Sequence, residues 1–144
     1  MLSAGTPMFL MGEEVGAQKP FTYNRFYEDK EDLVELRATN GAGLFRFYSD
    51  VIRFRLASPA IRTRSLQVVA ADDVGRVLAF RRWDDASDLL IVGSLANSAY
   101  DAYRISHASL GDDAGNQGAA LRADAGTLEL VLPANGFVIL ERQR

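Results

Sequence analysis

From Leu66 onward, short strand-like segments alternate with turn clusters, and this pattern constrains the fold more than any other feature of the sequence. Thr127–Leu132 shows it most clearly, because its three leucines alternate with other side chains and would share one face of a strand. Several short strands at such a spacing are typical of an antiparallel sandwich. The strand-like segments are Leu66–Ala71, Val77–Trp83, Leu89–Leu95, Asp101–Ser106, Thr127–Leu132 and Phe137–Glu141.

Acidic and glycine-containing clusters separate these segments. Asp72-Asp73 and Asp84-Asp85 open two of them, and Asp112-Asp113 lies in the long Gly111–Gly118 loop. None of these doublets follows the alternating pattern that presents carboxylates to calcium, so turn formation explains them better. The Gly111–Gly118 loop also lacks the lysine of a phosphate-binding loop.

The first part of the chain has a different character. Met8–Met11 is an apolar run without alternation, bounded by Gly5-Thr6-Pro7 and Gly12, and it predicts a strand buried on both faces. Such strands belong to parallel sheets, which need crossover helices, and the chain offers no other βαβ unit. We therefore expect a strand that has been separated from its sheet. A short helix is expected through Lys30–Arg37.

A longer helix is predicted next, because five apolar residues fall at a helical spacing and make one stripe. Asn40 is its expected N-cap, and Ser58-Pro59 ends it, since the residue before a proline avoids the helical region. The stripe consists of Leu44, Phe47, Tyr48, Val51 and Ile52.

Composition excludes several classes of function. The 144 residues are 48% hydrophobic and 24% charged, which is typical of a folded globular protein, and the net charge of -3 disfavours a nucleic-acid surface. There is no cysteine and one histidine, His107, so we expect no metal and no cofactor. No apolar run approaches the ~20 residues of a membrane span, and a cytoplasmic location is expected.

Three stretches, taken in order, resemble the C-terminal part of the alpha-amylase superfamily (glycoside hydrolase family 13). Gly5–Glu14 is similar to the last strand of that family's TIM barrel, and Leu44–Arg62 is similar to the barrel's final helix. Val77–Arg82, Leu89–Val92 and Leu130–Leu140 are similar to the all-β domain that follows. One departure is Ser94, where the family usually has an asparagine.

The resemblance implies an α+β chain: a remnant of the barrel in residues 1–63, with one strand and one or two helices, and then an antiparallel β-sandwich in residues 64–144. The family's three catalytic carboxylates lie at the ends of earlier barrel strands, and no residue here matches those motifs. Leu2-Ser3-Ala4 resembles the last turn of the preceding helix. We therefore expect a non-catalytic C-terminal fragment of an enzyme that acts on alpha-glucans.

Within the superfamily the chain is most similar to branching enzymes, which transfer 1,4-glucan chains to 1,6 branches. The implied partner is the catalytic barrel of the parent enzyme, with alpha-glucan as a further ligand. Exposed apolar surface would make the isolated fragment self-associate. The alternatives are the C-terminal domain of a glycosyltrehalose hydrolase or amylase, or an independent carbohydrate-binding module.

Three residues are candidates for substrate binding. Glu13 and Glu14 follow the strand that resembles the last barrel strand, at the end where TIM-barrel chemistry takes place, although adjacent carboxylates in an extended segment point in opposite directions. Trp83 could stack on a sugar ring, as could Tyr100 and Tyr103, although packing is the commoner role of such residues. His107 is expected to be an ordinary surface histidine. No catalytic residue is predicted.

Overall fold

The computed structural model describes residues 1–18, 31–107, 121–124 and 126–143. Its elements fall into two compact units, one made of Met1 with Thr6–Ala57 and the other of Leu2–Gly5 with Ser58–Arg144. The helices are a 3-10 helix at Glu13–Val15, α1 (Leu33–Ala38), α2 (Ala42–Ala57) and α3 (Pro59–Arg62). The strands are β1 (Gln67–Asp72), β2 (Val77–Trp83), β3 (Ser87–Ser94), β4 (Tyr100–Ser106), β5 (Leu121–Asp124), β6 (Thr127–Leu132) and β7 (Phe137–Gln143).

The prediction of a strand at Met8–Met11 is wrong for the described part of the chain. These residues pair with no other segment there, and they lead into the 3-10 helix, where the Glu13 N–H donates to the Leu10 carbonyl oxygen at 3.1 Å. The physical reason is that a strand exists only by pairing, and the described residues offer Met8–Met11 no neighbouring strand. All four side chains are exposed, and Met8 reaches 94%.

The longer helix forms as predicted, but its start differs. α2 begins at Ala42, and the Gly41 carbonyl oxygen accepts from the Phe45 N–H at 2.9 Å, so Gly41 rather than Asn40 precedes the helix. Glycine is required at this position, because a Cβ would lie 2.3 Å from the Val15 carbonyl oxygen. α2 ends at Ala57, and Pro59 begins α3, as expected from Ser58-Pro59. Within the apolar stripe only Val51 is buried.

The second unit is the predicted antiparallel sandwich. One sheet has the strand order β1-β2-β3-β7 and the other has β4-β6-β5, and every pairing is antiparallel. The predicted bounds of β2 and β6 match those in the structure, and β5 was not predicted. The Gly111–Gly118 loop lies outside the described residues.

The core lies between the two sheets. Alternate residues of β2, β3 and β7 meet alternate residues of β4 and β6, which is why the leucines of β6 all point inward. Burying such side chains stabilises the fold by about 1.5–3 kcal/mol each. The buried members are Val69, Val77, Ala79, Leu90, Val92, Ile105, Leu128, Leu130, Leu132 and Leu140.

The outer face of the four-stranded sheet is partly covered by α3. Leu89 and Ile91 point to this face and are buried, and so are Ala60 and Ile61 of α3, which contacts β2 and β3. A helix of four residues is not stable alone, so α3 is held by this packing. The predicted boundary between the two parts of the chain lies after residue 63, whereas the unit that contains the sandwich resumes at Ser58.

Arg82 fixes the segments that run over this face. The side chain is fully buried, and its guanidinium donates to backbone carbonyl oxygens. These acceptors lie before and after Thr6–Ala57, the stretch that belongs to the other unit. Such fork geometry suits arginine and no other residue. Nε donates to Ser65 (2.8 Å), Nη1 to Leu2 (2.8 Å), and Nη2 to Ile61 (2.7 Å) and Thr63 (2.8 Å).

Candidate functional site

The two predicted acidic residues lie in the first unit. Glu13 and Glu14 belong to the 3-10 helix rather than to an extended segment, and adjacent residues of such a helix are about 120° apart. The Glu14 carboxylate turns back to accept from the Gly12 N–H at 2.8 Å, while Glu13 is exposed. The two carboxylates therefore do not form a pair, and Glu13 is the more exposed of the two.

Trp83 lies in a cluster of charged side chains at the end of the sandwich. It ends β2 and pairs in register with Asp88, which pairs in turn with Arg142 of β7. The Asp88 carboxylate accepts from Arg142 Nη2 at 3.0 Å and from Arg81, whose Nε lies 3.1 Å from it. The Arg81 guanidinium also lies 5.6 Å from the centroid of the indole ring. Sequence reasoning identified Trp83 alone.

The charges of this cluster are set by its arginines. Burial raises the pKa of Asp88, but hydrogen bonds and charge from Arg81 and Arg142 outweigh burial and hold the pKa below its usual range. Asp88 is therefore ionised at neutral pH, and the two arginines and one aspartate leave one net positive charge. The hairpin that leads to Asp88 is fixed by Asp84, whose carboxylate accepts from the N–H groups of Ala86 (2.9 Å) and Ser87 (2.7 Å).

Tyr100 and Tyr103 have their hydroxyls engaged in the fold. Their ring centroids lie 5.2 Å apart, Tyr100 donates to the Gly75 carbonyl oxygen at 2.8 Å, and Tyr103 donates to the Asp72 carboxylate at 2.7 Å. Asp72 also accepts from the Gly75 N–H at 2.8 Å. These contacts join β4 to the β1–β2 turn. The tyrosines therefore pack within the fold, and Asp72 stabilises a turn, as expected for that residue.

The phenol of Tyr103 should titrate late. Burial, followed by the hydrogen bond to Asp72 and the charge of that carboxylate, raises the pKa of Tyr103 from 10.0 to about 12. Because the folded-state pKa is raised, this contribution to stability is complete below pH 10 and is lost as the pH rises through about 12. Absorbance titration of the phenols should show a late component from Tyr103, and Asp72→Asn should shift it toward lower pH. A late component that persists in Tyr103→Phe would contradict the assignment.

Other candidate features carry structural roles. The Ser94 hydroxyl oxygen accepts from the Ala96 N–H at 3.2 Å and supplies the turn contact at the position where the family usually has asparagine. The backbone N–H of His107 donates to the Gly126 carbonyl oxygen at 2.9 Å. Within the described ranges, no three His, Asp or Glu residues lie together as a metal site would need. Asp112-Asp113 falls outside those ranges.

An apolar row crosses the outer face of the four-stranded sheet beside α3. Val68, Phe80, Ile91 and Ile139 pair in register from β1 through to β7, and Leu78 is next to Phe80 on the same face. Ile91 is buried, but Val68 and Leu78 are 52% and 45% exposed. Nothing in the sequence alone set these residues apart from core positions, because strand periodicity does not say which face is covered.

None of the helices that the structure describes is both long and apolar enough to cross a membrane.

Comparison with known proteins identifies relatives of this chain, although no protein-family model matches it. A cyclomaltodextrinase from a Bacillus species is 31% identical over 96 residues, which are 61% of this chain and 15% of the relative. Isoamylase 3, chloroplastic, from Oryza sativa subsp. japonica is 38% identical over 69 residues, which are 43% of this chain and 8% of the relative. The chain thus spans a small part of the length of either.

Solved structures extend the likeness to nearly the whole chain. An alpha-amylase from H. orenii matches 98% of this chain with a TM-score of 0.67 and 25% identity, and the match covers 33% of the amylase. A debranching enzyme from Nostoc punctiforme matches 96% with a TM-score of 0.72 and 24% identity, over 28% of that enzyme, and shows the same fold. The homologues and structural neighbours of this chain are therefore enzymes of the alpha-amylase family.

Proposed function

We propose that this chain is the non-catalytic C-terminal part of an enzyme that acts on alpha-glucans, and that its sandwich packs on the catalytic barrel and stabilises it. The observation that carries this proposal is the asymmetric coverage of the alpha-amylase from H. orenii, in which 98% of this chain corresponds to 33% of the enzyme. The catalytic carboxylates that the family resemblance implies have no counterpart in this sequence. The remaining two thirds of such an enzyme would supply them.

The outer face of the four-stranded sheet is the surface we assign to the barrel. It carries exposed Val68 and Leu78, and both segments that lead into the sandwich, Leu2–Gly5 and Ser58–Arg62, are tied to it through Arg82. Apolar surface left exposed on a folded domain is typical of a site that a partner covers.

The proposal is first tested by the genomic sequence upstream of the Met1 codon. We expect it to encode, in the same frame or next to it, a barrel with the family's catalytic carboxylates. That barrel should be active on amylose and stable when it is joined to this chain or co-expressed with it. A barrel that is equally stable and active without the chain would contradict the proposed role.

The docking face can be tested in the joined protein by one substitution and a matched control. Leu78→Lys is expected to lower the free energy of unfolding of the joined protein by about 2–4 kcal/mol, since the proposed interface would lose the leucine that it buries and would gain an unpaired charge. Val131→Lys replaces a residue of similar exposure, 38%, on the outer face of the other sheet and should change it by less than about 0.5 kcal/mol. Calorimetry gives both values. Equal effects would contradict the assignment of the face.

The reaction of the parent enzyme is a finer question. We propose a branching-type parent on the residue resemblance, while the named relatives include a cyclomaltodextrinase and a debranching enzyme. Branching transfers a chain and leaves the number of reducing ends unchanged, whereas hydrolysis adds one reducing end for each bond cleaved. Measuring reducing ends during the reaction of the joined protein on amylose separates the two.

An independent carbohydrate-binding module is the second candidate, and the half-buried Trp83 beside Arg81 favours it. Such a module would bind glucan without any barrel. Affinity electrophoresis in glycogen combined with the barrel experiment decides between the two. Retardation of the chain together with a barrel that does not need it would support the module, and unchanged mobility would exclude it.

A further inference from the structure

Three side chains form a row across the end of the four-stranded sheet. Trp83 of β2, Asp88 of β3 and Arg142 of β7 pair directly in register and lie on the face that carries the core, one row beyond Arg81, Leu90 and Leu140. With strands about 4.8 Å apart, the row is about 10 Å long. That length matches about two sugar rings placed side by side.

The row keeps hydrogen-bond donors available. Arg142 uses Nη2 for Asp88, its side chain is 38% exposed, and its Nε and Nη1 make no hydrogen bond to any residue that the structure describes. The Trp83 indole N–H likewise has no acceptor among those residues. An indole ring and an arginine with unused donors therefore stand at the two ends of the row, with Asp88 between them.

The chemistry of the row fits a neutral, hydroxyl-rich ligand. A sugar ring presents a C–H face that packs on an indole ring, and its hydroxyl oxygens accept from guanidinium and indole N–H groups. An anion lying along the row would be placed beside the ionised Asp88 carboxylate, which stands between Trp83 and Arg142. Ligand sites typically combine an aromatic surface with a few polar groups in this way.

We infer that the row of Trp83, Asp88 and Arg142 is a binding site for an alpha-glucan chain on the sandwich itself. Trp83 supplies the stacking surface and Arg142 supplies the hydrogen bonds. Asp88, itself bound by Arg81, holds the Arg142 guanidinium at the other end of the row. The identity of the sugar polymer rests on the proposed function, and the existence of the site rests on the geometry of the row.

The sequence contains a single tryptophan, so intrinsic fluorescence reports on this site directly. Titration of the full chain with maltoheptaose is expected to change the fluorescence of Trp83 along a saturable curve. Arg142→Met should shift the midpoint to about tenfold higher concentration, because hydrogen bonds from a charged group are lost while the ring remains. No saturable change in the unmodified chain would overturn the inference, as would an unshifted midpoint in the variant.

Affinity electrophoresis in glycogen provides a measurement for the variant that lacks the reporter. Trp83→Ala should abolish retardation, whereas Phe47→Ala, which removes an exposed aromatic residue of α2, should leave it unchanged. Unfolding curves by circular dichroism establish that each variant is folded. Retardation that survives in Trp83→Ala would overturn the site.

These outcomes are distinguishable from failure of the proposed function. Absence of glucan binding together with a barrel that depends on the chain overturns the site alone. Glucan binding by a chain that no barrel requires contradicts the stabilising role and leaves the site in place.

Discussion

Arg82→Met is expected to lower the free energy of unfolding of the sandwich by about 3–5 kcal/mol. The substitution keeps most of the volume of the side chain but removes every donor, so the carbonyl oxygens of Leu2, Ile61, Thr63 and Ser65 lose a charged partner. Replacing a buried charge with an apolar residue is often neutral when its partners are replaced too. Here the acceptors are backbone groups and stay in place, so the loss is not offset.

Chemical denaturation followed by Trp83 fluorescence measures this loss in the sandwich itself. The free energy of unfolding of Arg82→Lys should lie between those of the unmodified chain and Arg82→Met. An ammonium group keeps the charge, but it cannot reach acceptors on both sides as a planar guanidinium does. Arg104→Met is the matched control: Arg104 is 74% exposed and pairs with Glu129 on the surface, so less than about 1 kcal/mol is expected. An Arg82→Met variant within about 1 kcal/mol of the unmodified chain would show that the guanidinium is not required.

Ile61→Ala is the second substitution with a large expected effect, a loss of about 2–5 kcal/mol. Ile61 is fully buried in α3 against β2 and β3, and a cavity would remain because the sheet beneath it is held by strand pairing on both sides. Leu56→Ala, five residues earlier and 67% exposed, is the control and should change stability by less than about 0.5 kcal/mol. Similar unfolding curves for the two variants would mean that α3 does not belong to the cooperative unit of the sandwich.

The sequence was most informative where local signals agree. The bounds of β2 and β6 follow from alternation and from the turns beside them. The strand expected at Met8–Met11 failed because apolar runs show a tendency to be buried but not the partner that buries them. β5 was missed because Leu121–Asp124 contains alanine and aspartate, which strands disfavour, and only its pairing with β6 makes it a strand.

The candidate site depended on register more than on residue type. Trp83 stands out in a sequence, but Asp88 and Arg142 join it only through the β2–β3 and β3–β7 pairings, across 54 residues in the second case. One usable signal existed: the turn cluster predicted to begin at Asp84-Asp85 closes a hairpin, and a tight hairpin places Asp88 opposite Trp83. The pair Arg81-Arg82 was a second usable signal. Adjacent residues of a strand face opposite sides of the sheet, so one of the two arginines had to lie on a face that other residues cover.

The contacts of Arg82 have a consequence for how this chain tolerates change in length. The carbonyl oxygens of Leu2 and Ile61 bind the same guanidinium, so Thr6–Ala57 leaves the sandwich unit and returns to it at neighbouring points. For the sandwich, those residues are a closed loop whose ends are already held together. Loop-closure entropy grows only slowly with length, by about 0.6 kcal/mol for each doubling. Insertions and deletions within Thr6–Ala57 should therefore change the free energy of unfolding of the sandwich only slightly. This stretch can change in length while the fold of the β-domain stays the same.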